Sequence, residues 1–179
     1  MAGGAGYIGS YVCKAFAAEG YLPVALDNLS SGHASAVRWG PLVQADIADR
    51  DAVARAVQAH NTVGALHFAA KSLVGEFVRD PLKYYRENVG KGVALLEVLQ
   101  ATGVGTILFS STAAVYGSPA ALAPIREDDS TRPINPYGAS KLAFEEVLRS
   151  SARVGRALRR PALFQRGGYR QRRRAGRGS

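Results

Sequence analysis

Short apolar runs alternate along the chain with longer segments in which apolar residues recur at helical spacing. A short apolar run predicts a buried β-strand, and the longer period predicts an amphipathic helix. The runs predict strands at 23–26, 42–44, 65–68 and 106–109. The periodic segments predict helices at 8–19, 51–60, 81–102 and 137–150. Because strands and helices alternate, the sequence predicts an α/β fold with a Rossmann-type, doubly wound parallel sheet over residues 1–150.

A glycine-rich turn comes just before the first predicted helix, where Gly4-Ala5-Gly6-Tyr7-Ile8-Gly9 fits the pattern G-x-G-x-x-G. Such glycines allow a tight turn and let the backbone approach a pyrophosphate at the start of the helix. An ordinary small-residue turn is the alternative interpretation.

An acid at the end of the next predicted strand favours the phosphate interpretation. Asp27 lies 21 residues after Gly6, a spacing at which a carboxylate can bind the hydroxyls of the adenosine ribose. The same charge would repel a 2′-phosphate, so the sequence favours NAD over NADP. A turn-capping aspartate is the alternative for this residue.

The strand that normally precedes such a turn has almost no sequence to form it, because only Met1 and Ala2 come before Gly3. We therefore expect the first, central strand of the sheet to be missing and two strand edges to be exposed. A start codon assigned too late and a truncated protein both explain this pattern.

A tyrosine and a lysine four residues apart, Tyr137 and Lys141, form a Y-x-x-x-K pair at the start of the last predicted helix. The spacing places both side chains on one helix face, where the ammonium is expected to lower the pKa of the phenol. The lysine can also hold the nicotinamide ribose. Thr112 follows a predicted strand, and its hydroxyl can relay or hold a substrate proton. A chance surface pair, and strand-end turn chemistry for Ser110, Ser111 and Thr112, are the alternatives.

Charge is distributed unevenly along the 179 residues, whose formal net charge is +9. Residues 151–179 contain ten arginines and no acid, whereas residues 1–150 are close to neutral. The high pI therefore describes an Arg/Gly-rich tail and not a basic binding face, so nucleic acid is not an expected partner. For the tail, a frameshift-derived sequence is favoured over a disordered basic tail and over a contact with nucleic acid or an acidic membrane.

Cysteine content and hydropathy limit the cellular setting. Cys13 is the one cysteine, which excludes an internal disulfide and favours a cytoplasmic protein. No apolar run reaches the roughly 18 residues that a membrane span requires. We predict no metal site.

Taken together, these segments resemble the extended short-chain dehydrogenase/reductase family, and within it the nucleotide-sugar 4-epimerases most closely. The matching segments are 3–10, 26–30, 46–47, 67–76, 81–85, 88–89, 109–117 and 135–141. The resemblance implies NAD as the cofactor and Tyr137, Lys141 and Thr112 as the catalytic residues. The cofactor-binding residues that it implies are Gly3, Gly6, Tyr7, Ile8, Gly9, Asp27, Asn28, Asp46, Ile47, Phe68, Ala69, Ala70, Asn88, Ser110, Tyr137 and Lys141.

The resemblance also implies a reaction, the interconversion of UDP-glucose and UDP-galactose by transient oxidation at C4 of the sugar. Tyr137, helped by Thr112, would take the proton of the 4-hydroxyl, and the cofactor would carry the hydride. Dehydratases and decarboxylases of the family carry an acid after the position of Thr112. Ala113 and Ala114 occupy those places here, which favours epimerisation. A non-catalytic remnant that binds NAD or nothing is the alternative of another class.

The sequence departs from the family pattern at several places. Lys71 has no assigned role, and Phe77 replaces a small polar residue in the cofactor loop. Beyond about residue 159 the pattern stops, so the sugar-binding lobe is absent and we expect a truncated or misread copy with little epimerase activity. The choice among UDP-sugars lies largely in the absent half. The family expectation is a homodimer formed through the helices predicted at 81–102 and 137–150.

Overall fold

The computed structural model describes residues 1–72, 80–118 and 124–154, together with the backbone of 162–164. Its helices are α1 (Tyr7–Ala18), α2 (Arg50–Ala59), α3 (Pro81–Tyr84), α4 (Lys91–Ala101) and α5 (Pro136–Val154). Its strands are β1 (Ala25–Asp27), β2 (Leu42–Gln44), β3 (Ala65–His67), β4 (Ile107–Ser110) and β5 (Ala162–Phe164). Two 3-10 turns cover Ala34–Ala36 and Ala113–Tyr116.

All of the described strand pairs are parallel. β1 pairs with β2, and β4 lies between β3 and β5. Ala2 joins the two groups, because it forms parallel bridges to Leu26 in β1 and to His67 in β3. The resulting spatial order is β2, β1, Ala2, β3, β4, β5, which is the strand order of a doubly wound nucleotide-binding sheet. The predicted fold class is confirmed.

The position of the first strand is filled, although no strand of regular length forms there. The Ala2 N–H donates to the Leu66 carbonyl at 2.8 Å, and the Gly3 N–H donates to the Leu26 carbonyl at 2.9 Å. In the opposite direction, the Leu26 N–H donates to the Met1 carbonyl and the Phe68 N–H donates to the Ala2 carbonyl. The expectation that the edges of β1 and β3 are exposed is therefore wrong beside residues 1–3, because these three residues form hydrogen bonds with both strands.

Local signals set the helix ends close to their predicted positions. α1 ends two residues before Gly20, whose φ of +84° is a left-handed conformation that glycine adopts readily. Asp49 caps α2, since its carboxylate accepts a 3.0 Å hydrogen bond from the Ala52 N–H. α4 ends before Gly103, whose φ is +78°.

The helix predicted at 81–102 differs from the prediction, because a π-helical turn at Tyr85–Gly90 separates α3 from α4. Such a turn contains one extra residue and often marks a functional site. Here it directs Asn88 inward, where its side chain is 3% exposed. Apolar periodicity cannot reveal the interruption, because the segments before and after the π-helical turn both keep a helical pattern of apolar residues.

The core brings together the sheet and α2, α4 and α5. Phe109 of β4 packs on Phe144 of α5 with ring centroids 4.9 Å apart. His67 of β3 contacts both rings at 5.4 and 5.5 Å and is fully buried. These three rings form a closely packed support for the carboxyl ends of β3 and β4.

Two described segments extend beyond the predicted domain boundary at residue 150. α5 continues four residues past the predicted domain end at residue 150, and β5 pairs with β4 inside the predicted tail. The apolar run at 162–164 suits a strand beside β4, whereas the arginines of 165–179 lie outside the described residues. The boundary at 150 and the frameshift origin of the tail stay predictions. Within the described part, no helix is both long and apolar enough to cross a membrane.

Candidate functional site

A cleft of about 340 Å³ opens over the carboxyl ends of the parallel strands, which is where doubly wound sheets bind their ligands. Most of the predicted cofactor residues line it: Gly3, Gly6, Tyr7, Ile8, Gly9, Asp27, Asn28, Asp46, Ile47, Phe68, Ala69, Ala70, Ser110, Tyr137 and Lys141. The sequence prediction omitted Leu26, Ser30, Ser31, Gly32, Lys71, Ser72, Glu87 and Lys91, which also line it. Asn88 and Thr112 were predicted and do not line it.

The glycine turn forms one wall of the cleft at the start of α1. Gly6 is the N-cap residue and offers no side-chain cap to the first N–H groups of the helix. A Cβ on Gly6 would meet only the Gly3 carbonyl oxygen, at 3.4 Å, so its absence leaves open space on the cleft side. A Cβ on Gly9 would lie 2.1 Å from that same oxygen. One glycine therefore leaves room for a ligand, and the other lets the helix pack on the turn.

Asp27 connects the glycine turn to the end of β1. Its Oδ2 accepts a 3.0 Å hydrogen bond from the Ala5 N–H, and its Oδ1 accepts one of 2.9 Å from the Leu29 N–H. The side chain is buried apart from the surface that lines the cleft. Each carboxylate oxygen has a second lone pair, so the group can still accept hydrogen bonds from ligand hydroxyls.

A charged cluster of Asp46, Lys91 and Glu87 also lines the cleft. Asp46 accepts hydrogen bonds from Lys91 Nζ at 2.7 Å, from Asn28 Nδ2 at 2.9 Å and from the Ala48 N–H at 2.9 Å. Partial burial works to raise the pKa of Asp46, but these three bonds outweigh it and lower the pKa. Lys91 also contacts Glu87 at 2.9 Å, one turn earlier. The Glu87–Lys91 spacing was visible in the sequence as an i,i+4 pair, but nothing there directed it to the cleft.

Tyr137 and Lys141 both face the cleft from the start of α5. The helix begins where Asn135 Oδ1 accepts a 2.8 Å hydrogen bond from the Gly138 N–H. Lys141 Nζ donates to the Ser110 carbonyl at 2.8 Å and lies 5.9 Å from the centre of the Tyr137 ring. The Thr112 hydroxyl hydrogen-bonds to the side chain of Tyr137. The three predicted catalytic residues are therefore neighbours, and Thr112 does not itself line the cleft.

The ionisation of this group differs from the sequence expectation. Burial raises the pKa of Tyr137, and the hydrogen bond from Thr112 opposes the rise without cancelling it. Burial lowers the pKa of Lys141 to about 8, although the charge of Glu145 acts against that shift. The expected lowering of the phenol pKa by Lys141 is absent, because the ammonium binds the Ser110 carbonyl and desolvation of the phenol dominates.

Asn88 does not line the cleft but binds two residues next to it, Lys71 and Ser140. Its Oδ1 accepts a 2.8 Å hydrogen bond from the Lys71 N–H, and its Nδ2 donates to the Lys71 carbonyl at 3.1 Å and to Ser140 Oγ at 3.0 Å. These bonds fix the chain after β3 to α5. Its position therefore indicates a role in positioning Lys71 and Ser140, and its direct cofactor contact stays a prediction.

The structure places Lys71, to which the sequence assigned no role, in the lining of the cleft. Lys71 Nζ donates a 3.3 Å hydrogen bond to Ser30 Oγ across the cleft. The predicted cofactor loop continues beyond Ser72 through Phe77, but those positions lie outside the described residues.

Comparison with known proteins agrees with this geometry. Residues 1–160 match the model of the NAD dependent epimerase/dehydratase family. Two curated relatives, the UDP-glucose 4-epimerases of Rhizobium leguminosarum bv. trifolii and Rhizobium meliloti (strain 1021), are each 45% identical to the chain. Each match covers 83% of this chain and 45% of the relative. The chain thus spans somewhat less than half the length of these relatives.

Solved structures show the same similarity. The UDP-glucose 4-epimerase from Brucella ovis in complex with NAD is 46% identical and superimposes with a TM-score of 0.87, covering 92% of this chain and 50% of that chain. The UDP-glucose 4-epimerase from Thermus thermophilus in complex with NAD is 34% identical with a TM-score of 0.81, covering 85% and 50%.

Proposed function

The chain belongs to the NAD dependent epimerase/dehydratase family, and on that premise we propose that it is the NAD-binding part of a UDP-glucose 4-epimerase, an isomerase. One observation carries the proposal. The glycine turn, Asp27, Tyr137 and Lys141 line the same cleft over the ends of the parallel strands. Segments more than 100 residues apart in the sequence thus meet where a dinucleotide would lie.

The cleft suits NAD along its length. The N-terminus of α1 carries a partial positive charge, and Gly6 leaves space there for a pyrophosphate. Asp27 offers acceptors for ribose hydroxyls and a negative charge that disfavours a 2′-phosphate, which supports NAD over NADP. Lys141 lines the same cleft beside Tyr137, where it can hold the second ribose. When bound, NAD supplies the electron acceptor that the protein side chains lack.

Tyr137 is the group that exchanges a proton with the 4-hydroxyl of the sugar. In the cofactor-free cleft it is a protonated phenol, because burial raises its pKa. Positive charge added to the cleft would lower that pKa and convert Tyr137 to a base. The hydrogen bond from Thr112 favours the same form.

Epimerisation fits the described residues better than dehydration, which needs an additional acid beside the sugar. Ala113 and Ala114 follow Thr112 in a 3-10 turn and supply no acid there. Asp27, Asp46 and Glu87 are the carboxylates among the described cleft residues, and each already accepts from a backbone or lysine donor.

The finer assignments follow from the family. We propose UDP-glucose and UDP-galactose as substrates, a homodimer through α3, α4 and α5, and a cytoplasmic location. Little epimerase activity of the 179-residue chain on its own stays a prediction.

A chimera tests the proposed activity. Residues 1–154 of this chain would replace the matching segment of the Rhizobium leguminosarum relative, and conversion of UDP-galactose to UDP-glucose would be measured. We expect turnover that Tyr137→Phe abolishes while NADH binding persists. A chimera that folds and binds NADH without turnover would instead identify a non-catalytic NAD-binding remnant.

A further inference from the structure

Glu145 is a fully buried carboxylate that lies outside the cleft lining. A buried charge is costly unless it is paired and hydrogen-bonded. Its Oε1 accepts a hydrogen bond from the Ser111 hydroxyl, and its Oε2 accepts one of 2.6 Å from Arg149. Both carboxylate oxygens are therefore held, one by the end of β4 and one by the next turn of α5.

The contacts of Glu145 form a closed set with those of Lys141. Glu145 follows Lys141 by four residues, so both side chains lie on one face of α5. Lys141 binds the carbonyl of Ser110, and Glu145 binds the hydroxyl of the adjacent Ser111. The last residue of β4 and the residue after it are thus tied to two consecutive turns of α5, and Ser110 and Lys141 also line the cleft.

The surroundings of Lys141 make the charge of Glu145 important. Lys141 is 3% exposed, and its Nζ lies 4.5 Å from the centre of the Phe109 ring of β4. His67 on β3 is fully buried and its pKa is lowered to about 3, so it faces Lys141 as a neutral ring. Tyr137 is a neutral phenol. Among the described neighbours, Glu145 is therefore the group whose negative charge stabilises the buried ammonium.

We propose that Glu145 is a positioning residue that ties α5 to the end of β4 through Ser111 and keeps Lys141 protonated and directed at the Ser110 carbonyl. The inference rests on the proposed function, in which Lys141 holds the cofactor ribose. Glu145 itself does not line the cleft, and it acts through its two partners, Ser111 and Lys141.

The test compares Glu145→Gln with Glu146→Gln, its matched control. Glu146 is the adjacent, exposed acid and also contacts Arg149, at 3.3 Å. The first readout is the ¹³C NMR titration of the Lys141 side chain in the cofactor-free chain, assigned with Lys141→Arg. We expect the midpoint to fall by about one pH unit in Glu145→Gln, a roughly tenfold shift in the protonation equilibrium, and to stay unchanged in Glu146→Gln. Equal midpoints in Glu145→Gln and the wild type would overturn the proposal.

The second readout is the Kd for NADH, measured by fluorescence at about pH 6 and about pH 8. Lys141 is mostly protonated in both proteins at the lower pH, so we expect the affinities to be similar there. At the higher pH a fall of one unit in the midpoint cuts the protonated fraction about fivefold, so we expect NADH binding to be about fivefold weaker for Glu145→Gln. If the Kd of Glu145→Gln for NADH equals that of Glu146→Gln at both pH values, the inference is contradicted. Absence of NADH binding in the wild type contradicts the proposed function instead, and the lysine titration still decides whether Glu145 sets the charge of Lys141.

Glu145→Asp covers the case in which Glu145→Gln does not fold. It keeps the charge but shortens the reach to Ser111. We expect it to fold, to keep the midpoint of Lys141 near that of the wild type, and to bind NADH about threefold more weakly because the end of β4 is less well fixed. Unchanged NADH affinity in Glu145→Asp would contradict the positioning role.

Discussion

The carboxylate of Asp27 accepts a 3.0 Å hydrogen bond from the main-chain N–H of Ala5, in the centre of the glycine turn. The sequence suggested the two segments as separate contacts with a cofactor, one for the ribose and one for the pyrophosphate. The structure joins them, so the acid that would select the ribose also fixes the loop that would hold the phosphates.

Replacing Asp27 with Asn should therefore weaken both the fold and the cofactor preference. An amide has one acceptor oxygen, so either the Ala5 or the Leu29 N–H loses its partner. We expect a loss of about 1–2 kcal/mol in the free energy of unfolding, measured by urea denaturation. The ratio of NADPH to NADH dissociation constants should also move toward one. Unchanged stability together with an unchanged ratio would contradict both roles of Asp27.

Two glycines of the same turn should fail in different ways. Gly9→Ala places a Cβ 2.1 Å from the Gly3 carbonyl oxygen, and backbone cannot move aside easily, so the protein should lose several kcal/mol or fail to fold. Gly6→Ala meets that oxygen at 3.4 Å and should fold. It fills the space proposed for the pyrophosphate, so NADH affinity should fall at least about tenfold. Full NADH affinity in a folded Gly6→Ala protein would argue against that placement.

Removing the hydroxyl of Thr112 should raise the pKa of Tyr137 further. Burial holds this pKa above that of a free tyrosine, and the bond from Thr112 lowers it toward the ordinary value. In Thr112→Val that opposing effect is lost, so a higher pH is needed to form the phenolate. A ¹³C NMR titration of the tyrosine Cζ, assigned with Tyr137→Phe, measures the change. Thr112→Ser keeps the hydroxyl and should titrate like the wild type, whereas a lower midpoint in Thr112→Val would contradict the assignment.

His67 should make the fold sensitive to acid. Its two ring nitrogens have no hydrogen-bond partner in the described structure, and burial lowers its pKa from 6.5 to about 3. Between these values the unfolded chain binds a proton that the folded chain excludes, so this contribution to stability falls as the pH falls. Relative to His67→Leu, we expect the wild type to lose about 2 kcal/mol of unfolding free energy between pH 6.5 and about pH 5. Parallel curves for the two proteins would show that His67 does not titrate as described.

Local chemistry explains which parts of the fold could be predicted. The cap at Asp49, the left-handed glycine at Gly20 and the short apolar strands are determined by nearby residues, so the sequence predicts them. The π turn around Asn88 is not, because it is stabilised by bonds to Lys71 and Ser140 that are distant in sequence. The cofactor contact of Asn88 was inferred from the family resemblance and not from these bonds.

The residues of the candidate site likewise include some that the sequence predicts and some that it does not. Asp27, Tyr137 and Lys141 belong to spaced motifs and were predicted to be together. Lys91 and Glu145 were not, because their roles arise from contacts between separate elements. Lys91 binds Asp46 after β2, and Glu145 binds Ser111 at the end of β4. Burial also decided the direction of the Tyr137 pKa shift, which residue spacing alone could not give.

The measurement that tests the central claim most directly is a fluorescence titration of the purified 179-residue chain with NADH and, separately, with NADPH. The glycine turn, Asp27 and Lys141 predict saturable binding of one NADH per chain, with NADPH at least about tenfold weaker. No saturable binding of NADH, or equal affinity for the two dinucleotides, would contradict the account.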